Sequence, residues 1–226
     1  MDCERARVIE HGNICAFLDI LYGKCKSSDG AIVFIKSQRN EISGIFSVGS
    51  GDDLVQAAKH VTGEAGVYFK VNLMDFDKMN KRSSGFRKNI VGSSRDVKSI
   101  VSIHLDVDAG KGGKYVTRPH ALWAINQMPL RPSMIINSKG TDGGFHAYWL
   151  LEKPVRIQSE DHRNEISELS KQWNQRLRRM CSGKLDSTSN IDRMLRVAGG
   201  KRLTGEPVCA EFYEPDNLYK LEDFAA

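Results

Sequence analysis

The stretch that most constrains the fold is Ser99 to Gly110, reading SIVSIHLDVDAG. Its apolar, β-branched opening, Ile100, Val101 and Ile103, calls for a buried strand. Side chains alternate between the two faces of a strand, so Asp106 and Asp108 project together while Val107 turns to the core. Ala109-Gly110 ends the strand. Two carboxylates held side by side repel, and neither ionises cheaply beside the other. A divalent cation relieves that repulsion, and an all-oxygen donor set suits Mg²⁺ or Mn²⁺. A strand running into an acidic turn would give the same residues, so the rest of the chain has to discriminate.

At 226 residues the chain suits one large domain, or one domain with a small appendage. It contains no apolar run long enough to span a bilayer and no signal-peptide pattern, so a cytoplasmic protein with no membrane partner is expected. Its five cysteines are odd in number and show no CxxC spacing, which reads as free thiols. The net charge of +5 is unevenly spread. Lys78, Lys81, Arg82, Arg87, Lys88, Arg95 and Lys98 face only Asp96 within residues 78–98, and nine basic residues fall between Lys171 and Arg202. Clusters of this kind suit phosphate-bearing partners.

Taken in order, residues 4–22 carry a helical stripe, and 31–35 and 41–48 read as a β-hairpin. Residues 51–63 read as a helix capped by Asp52 or Asp53, and 66–71 as a strand. Residues 72–95 read as a long basic loop. After the acidic strand, Gly110 to Lys114 is a flexible basic turn that lacks the spacing of a P-loop. Residues 117–127 form a helix with Leu122, Ile125 and Met128 facing inward. Strands at 132–137 and 145–151 pair as a hairpin, and a glycine-rich turn between them precedes His146. A long amphipathic helix runs from 159 to 180 with Ser159 as its cap. Val208 to Tyr213 is a last strand, and 218–224 a short terminal helix.

This order is β-α-β-β-α-β from 99 to 213. It predicts an α+β fold with a ferredoxin-like (RRM-like) core over 97–226, preceded by an N-terminal α/β lobe over 1–96. Within Ser182 to Arg202, an acid, Asp186, precedes Arg193, Arg196, a Gly-Gly pair and Lys201-Arg202. Arginine forks grip phosphate bidentately, so this segment reads as a metal-and-triphosphate site.

LDVDAG at 105–110, GGFHAYWLL at 143–151 and DSTSNIDRMLRVAGGKR at 186–202 occur in this order. Together they resemble the three motifs of the archaeo-eukaryotic primase superfamily, in particular the primase-polymerases of phages, plasmids and mobile elements. GVYFKVN at 66–72 resembles the strand that precedes the first motif. Where relatives carry Pro-Gly-Thr, this chain has Ala198-Gly199-Gly200, which leaves Asp186 and Asp192 both open as the third acid. The resemblance implies a DNA primase with DNA polymerase activity. It would use NTPs and dNTPs on a single-stranded DNA template, beside a separate or fused helicase. It further implies that Asp106, Asp108 and Asp186 hold two Mg²⁺ or Mn²⁺ ions, and that Ser138, His146, Arg193, Arg196 and Lys201 grip the nucleotide. The basic 78–98 segment and Arg176, Arg178 and Arg179 would follow the template. Paired acids on such a sheet also serve metal nucleases and nucleotide cyclases, and the sheet itself serves non-catalytic nucleic-acid binders.

Overall fold

The computed structural model describes residues 13–36, 38, 41–84, 91–110, 115–140, 143–182, 184–186 and 188–225. In chain order the elements are α1 (Ile14–Tyr22), β1 (Ala31–Lys36), β2 (Glu41–Ser47), α2 (Gly51–Val61), β3 (Val67–Lys70), β4 (Leu73–Met74), α3 (Phe76–Ser83) and β5 (Val97–Val107). There follow α4 (Arg118–Asn126), β6 (Met134–Asn137), β7 (Phe145–Arg156), α5 (Glu160–Met180), β8 (Met194–Arg196), β9 (Cys209–Tyr213) and β10 (Leu218–Tyr219). No helix among the described residues is long and apolar enough to cross a membrane.

Local chemistry explains most helix starts. Asn13, Ser50, Asp75 and Ser159 each accept a backbone N–H of the first turn. Ser50, rather than Asp52 or Asp53, caps α2; Asp53 instead closes a capping box back onto the Ser50 N–H. Residues 72–95, read as loop from their polarity, hold β4, α3 and a 3₁₀ turn. Asp75 caps α3, and Met79 anchors it in the core. Lys78, Lys81 and Arg82 therefore sit on a helix, with Arg82 Nη2 bonded to Asp96 at 2.9 Å. Arg87 and Lys88, the 111–114 turn and residues 1–12 lie outside the described residues. On α4 the buried apolar positions are Ala121, Ala124 and Ile125, with Leu122 only half-buried. The C-terminal segment splits into β10 and a 3₁₀ helix over Leu221–Ala225.

The ten strands belong to one sheet, ordered β8-β3-β1-β4-β5-β7-β6-β9, with β2 on β1 and β10 on β7. Every pairing is antiparallel except β10 on β7. The neighbours β5, β7 and β6 form the expected trio, a hairpin set beside the acidic strand. The closing strand departs from the expectation: β9 pairs with β6, because β4 already occupies the free edge of β5. Phe17, Leu18 and Leu21 of α1 and Leu54 and Ala58 of α2 bury one face with Phe34, Phe69 and Tyr148. Ala121 and Ile125 of α4 and Ile166, Trp173 and Leu177 of α5 bury the other with Ile103, Leu105, Ala147 and Trp149. Covered on both sides, β5 is buried almost throughout.

Residues 67–74 lie along β1, but β3 is paired on its other edge by β8 and β4 by β5. Asn72, 1% exposed, sits at the break. Its Oδ1 accepts the N–H groups of Val101 (2.9 Å) and Ser102 (3.3 Å), where the pairing of β5 with β7 shifts register. Its Nδ2 donates to the carbonyl of Ile191 at 3.0 Å. Tyr22 Oη donates to the Val71 carbonyl at 2.8 Å, and Val71 N–H donates to the Arg193 carbonyl at 3.3 Å. One side-chain amide thus satisfies three backbone groups left over where the ladder splits.

Beyond that shift, Ser102, His104 and Asp106 share the face opposite Ile103 and Leu105. His104 is buried beside Tyr148, their rings 6.3 Å apart. Burial lowers its pKa from 6.5 to about 4, with Arg193 and His146 pushing the same way.

Two expectations follow. Asn72→Ala strands three buried backbone groups, so it should lower the unfolding free energy by about 3 kcal/mol in urea titrations, against near-neutrality if the amide merely fills space. His104 binds a proton in the unfolded chain below about pH 6.5 but in the folded chain only near pH 4. Its stabilisation is therefore complete above about 6.5 and lost as pH falls toward 4. His104→Gln should reduce the slope of unfolding free energy against pH in that window by up to about 1.4 kcal/mol per pH unit; an unchanged slope would show that His104 titrates normally.

Candidate active site

The end of β5 opens onto a cavity of about 320 Å³. Asp106 and His146 form its floor, Lys139, Arg193 and Arg196 its cationic wall, and Tyr68 and Met194 complete the lining. A larger hollow of about 510 Å³ lies at the far end of β7, between Leu151, Lys153 and Leu221. It contains none of the candidate site residues, so size does not identify the chemistry here.

Strand register brings the floor together. Asp106 lies directly opposite His146 on β7, and His146 Nε2 stands 3.8 Å from Asp106 Oδ1. The turn before β8, fixed by Asn72 and Val71, delivers Arg193, whose Nη2 donates to Asp106 Oδ2 at 2.8 Å. From behind, Thr188 Oγ1 donates to the Asp106 carbonyl at 2.9 Å. On β8, Arg196 lies opposite Tyr68 and stacks over its ring, 4.9 Å from the centroid. Lys139 Nζ pairs with Asp108 Oδ1.

Burial pushes the Asp106 carboxyl up, but its basic neighbours outweigh burial and hold it below the usual carboxylate range. His146 is buried, which lowers its pKa to about 4 against the pull of Asp106. With His146 neutral at pH 7, Arg193 and Lys139 are the charges that keep Asp106 ionised there. A neutral imidazole contributes a hydrogen bond to a ligand without adding charge.

The two acids left open in the sequence occupy different environments. Asp192 pairs with Lys70, whose Nζ lies 3.2 Å from its Oδ2 and 2.7 Å from its carbonyl. The Lys70 side chain is 3% exposed, and burial lowers its pKa against the attraction of Asp192. Asp192 therefore neutralises a buried lysine. Asp186 is exposed and accepts a hydrogen bond from Tyr115 Oη at 2.9 Å. It lies outside the cavity lining but close enough to act on Lys139.

Two further predicted ligands are placed differently from the rest. Ser138 Oγ donates to the Gly144 carbonyl at 2.9 Å, inside the hairpin turn. Lys201 bridges by its backbone to Ala65 and Pro207, and its side chain does not line the cavity. Lys139, Tyr68 and Met194 were not foreseen. Tyr68 and Met194 stand on strands with the alternation that puts them on this face; Lys139 adjoins Ser138, but nothing in the local pattern tells how far its side chain reaches.

Among the described residues no three acidic, histidine or cysteine side chains converge as a metal cluster. Asp106 and Asp108 nonetheless fit Mg²⁺ or Mn²⁺. Both are partly exposed, both already draw a cationic partner, and such ions bind through one or two carboxylates with water and substrate phosphates completing the shell.

No protein-family model matches the chain, and no curated protein sequence matches it. Among solved structures, the AEP domain (PP-N190) of the cyanophage S-2L primase-polymerase superposes with a TM-score of 0.54 at 20% identity, over 94% of this chain and 95% of that one. At that identity, what the chain shares with the phage domain is its fold.

Proposed function

We propose that the protein is a template-directed nucleotidyltransferase that makes primers on single-stranded DNA from NTPs or dNTPs and extends them. The observation that carries this reading is the cavity itself, with Asp106 on its floor and Lys139, Arg193 and Arg196 on its wall, Lys139 being paired in turn with Asp108. A nucleoside triphosphate needs both: cations to receive its charge, and acids to retain a metal. The shared fold with a primase-polymerase domain supports the same conclusion.

The residues would act as follows. Asp106 and Asp108 hold Mg²⁺ or Mn²⁺, and Asp186, on its exposed loop, is the third acid. Asp192 is the weaker choice because Lys70 already holds it. When bound, the metal lowers the pKa of the attacking 3′-hydroxyl and offsets charge on the α-phosphate and departing pyrophosphate. Arg193 spends one N–H on Asp106, and its buried Nε has no partner among the described residues, so donors remain for phosphate. Arg196, its guanidinium over the Tyr68 ring, lines the cavity as a further donor to phosphate. Neutral His146 adds a hydrogen bond. Fixing these groups before substrate arrives lowers the reorganisation needed at reaction. Lys78 and Lys81 on α3 and Arg179 on α5 supply backbone attraction for the template, a salt-sensitive contact. Arg178 contributes less, since its Nε bonds the Leu185 carbonyl at 2.9 Å.

The test is a templated extension assay with labelled NTPs and dNTPs, run with Mg²⁺ and Mn²⁺ separately. Asp106→Asn and Asp108→Asn should each cut incorporation more than about a hundredfold, with circular dichroism unchanged. Full activity in either variant overturns the proposal. A cyclic product or cut strands, formed without template, would instead assign the cavity to a cyclase or nuclease.

A further inference from the structure

Lys139 stands on the cationic wall, and it is also the cation on which all three candidate acids act. Its ammonium pairs with Asp108, and Asp106 and Asp186 both favour its charge. Arg196 and Arg202 oppose that charge, in the same direction as burial.

The backbone under Lys139 is fixed. The N–H groups of Ser138 and Lys139 and the hydroxyl of Ser138 all donate to the Gly144 carbonyl, at 3.2, 3.2 and 2.9 Å. A Cβ on Gly143 would stand 2.3 Å from the Lys139 carbonyl oxygen and 2.6 Å from its Cβ. A Cβ on Gly144 would stand 2.6 Å from the Val107 carbonyl oxygen. Gly144 is therefore pressed against the end of β5 and Gly143 against the Lys139 backbone, which leaves the four-carbon side chain of Lys139 as the part that can swing.

That side chain has two kinds of anion within its surroundings: the acids it now touches and whatever enters the cavity it lines. An ammonium and a divalent ion on the same carboxylate repel one another, the more so because the metal is doubly charged. The metal therefore needs Lys139 to leave Asp108. In an empty cavity the acids hold Lys139, while Arg196 and Arg202 disfavour its charge. A triphosphate reverses that repulsion.

We propose that Lys139 is a built-in counter-cation, filling the cation position on Asp108 when no nucleotide is bound and passing to a triphosphate oxygen when one enters, so that divalent metal and nucleotide bind cooperatively. The inference rests on reading the cavity as a metal–nucleotide site. It adds that the two ligands help one another through this side chain, and linkage makes the help reciprocal.

The experiment titrates Mn²⁺ into nucleotide-free protein by electron paramagnetic resonance, and dATP into metal-free protein by calorimetry. Lys139→Met should bind Mn²⁺ about five- to tenfold more tightly than the wild type, since a partly exposed ion pair has been removed, and should bind dATP more weakly. Lys139→Arg should restore both values toward wild type. Unchanged or weaker Mn²⁺ binding by Lys139→Met overturns the proposal. The double variant Asp106→Asn/Asp108→Asn separates the two readings. It should lose Mn²⁺ binding, whatever Lys139 does; wild-type binding there would remove the metal site and the proposal with it. Melting curves of each variant confirm that the fold persists.

Discussion

The carboxamide of Asn72 is the interaction on which the site geometry depends. Where residues 67–74 pass from β8 to β5, backbone hydrogen bonds cannot continue in register, and the amide takes up Val101, Ser102 and Ile191 at once. A break in a ladder would ordinarily leave unpaired groups in the core, each costing about 1–3 kcal/mol. Here it ties the strand carrying Asp106 to the turn carrying Arg193. The 2.8 Å contact between those two side chains follows from backbone placement by a third residue, buried beneath both.

A second brace holds the opposite wall. Arg118, nearly buried at the start of α4, bonds Asn137, Glu211 and the Gly143 carbonyl, and its guanidinium lies 5.1 Å from the centre of the Phe145 ring. The glycine-rich hairpin is thereby fastened at both ends and from one side. Three of the basic groups near the acids already have assigned anions: Arg193 on Asp106, Lys139 on Asp108 and Lys70 on Asp192. Arg196 instead rests on an aromatic ring. The site is close to neutral in pairs, so its clustered charges offset one another within the fold.

The elements carrying the chemistry were legible because their signals are local. Strand alternation located Asp106, the hairpin with its glycine-rich turn located His146, and Ser159 announced its helix. What escaped the sequence was of two kinds. Helix α3 was hidden because it buries only Met79, so its stripe is too narrow to show a period. Asp186 was named ahead of Asp192 only by resemblance, because the difference between them is Lys70, 122 residues away from Asp192 in the chain. Lys139 and Asn72 belong with this second kind: each acts at the far end of a side chain on a partner that no spacing rule connects to it. The place of β9 beside β6 was likewise a non-local matter, set by β4 reaching β5 first.

Gly143 and Gly144 are defined by what they lack. The space that a methyl group would need is filled by the Lys139 backbone in one case and by the Val107 carbonyl in the other. The hairpin therefore meets the acidic strand at a distance set by backbone alone, with no side chain as a spacer. Two positions are closed to every other residue type, while the lysine between hairpin and strand is under no such steric rule. Mutational freedom at this site thus runs opposite to chemical interest: the inert residues are fixed by space, and the charged one is held only by its partners.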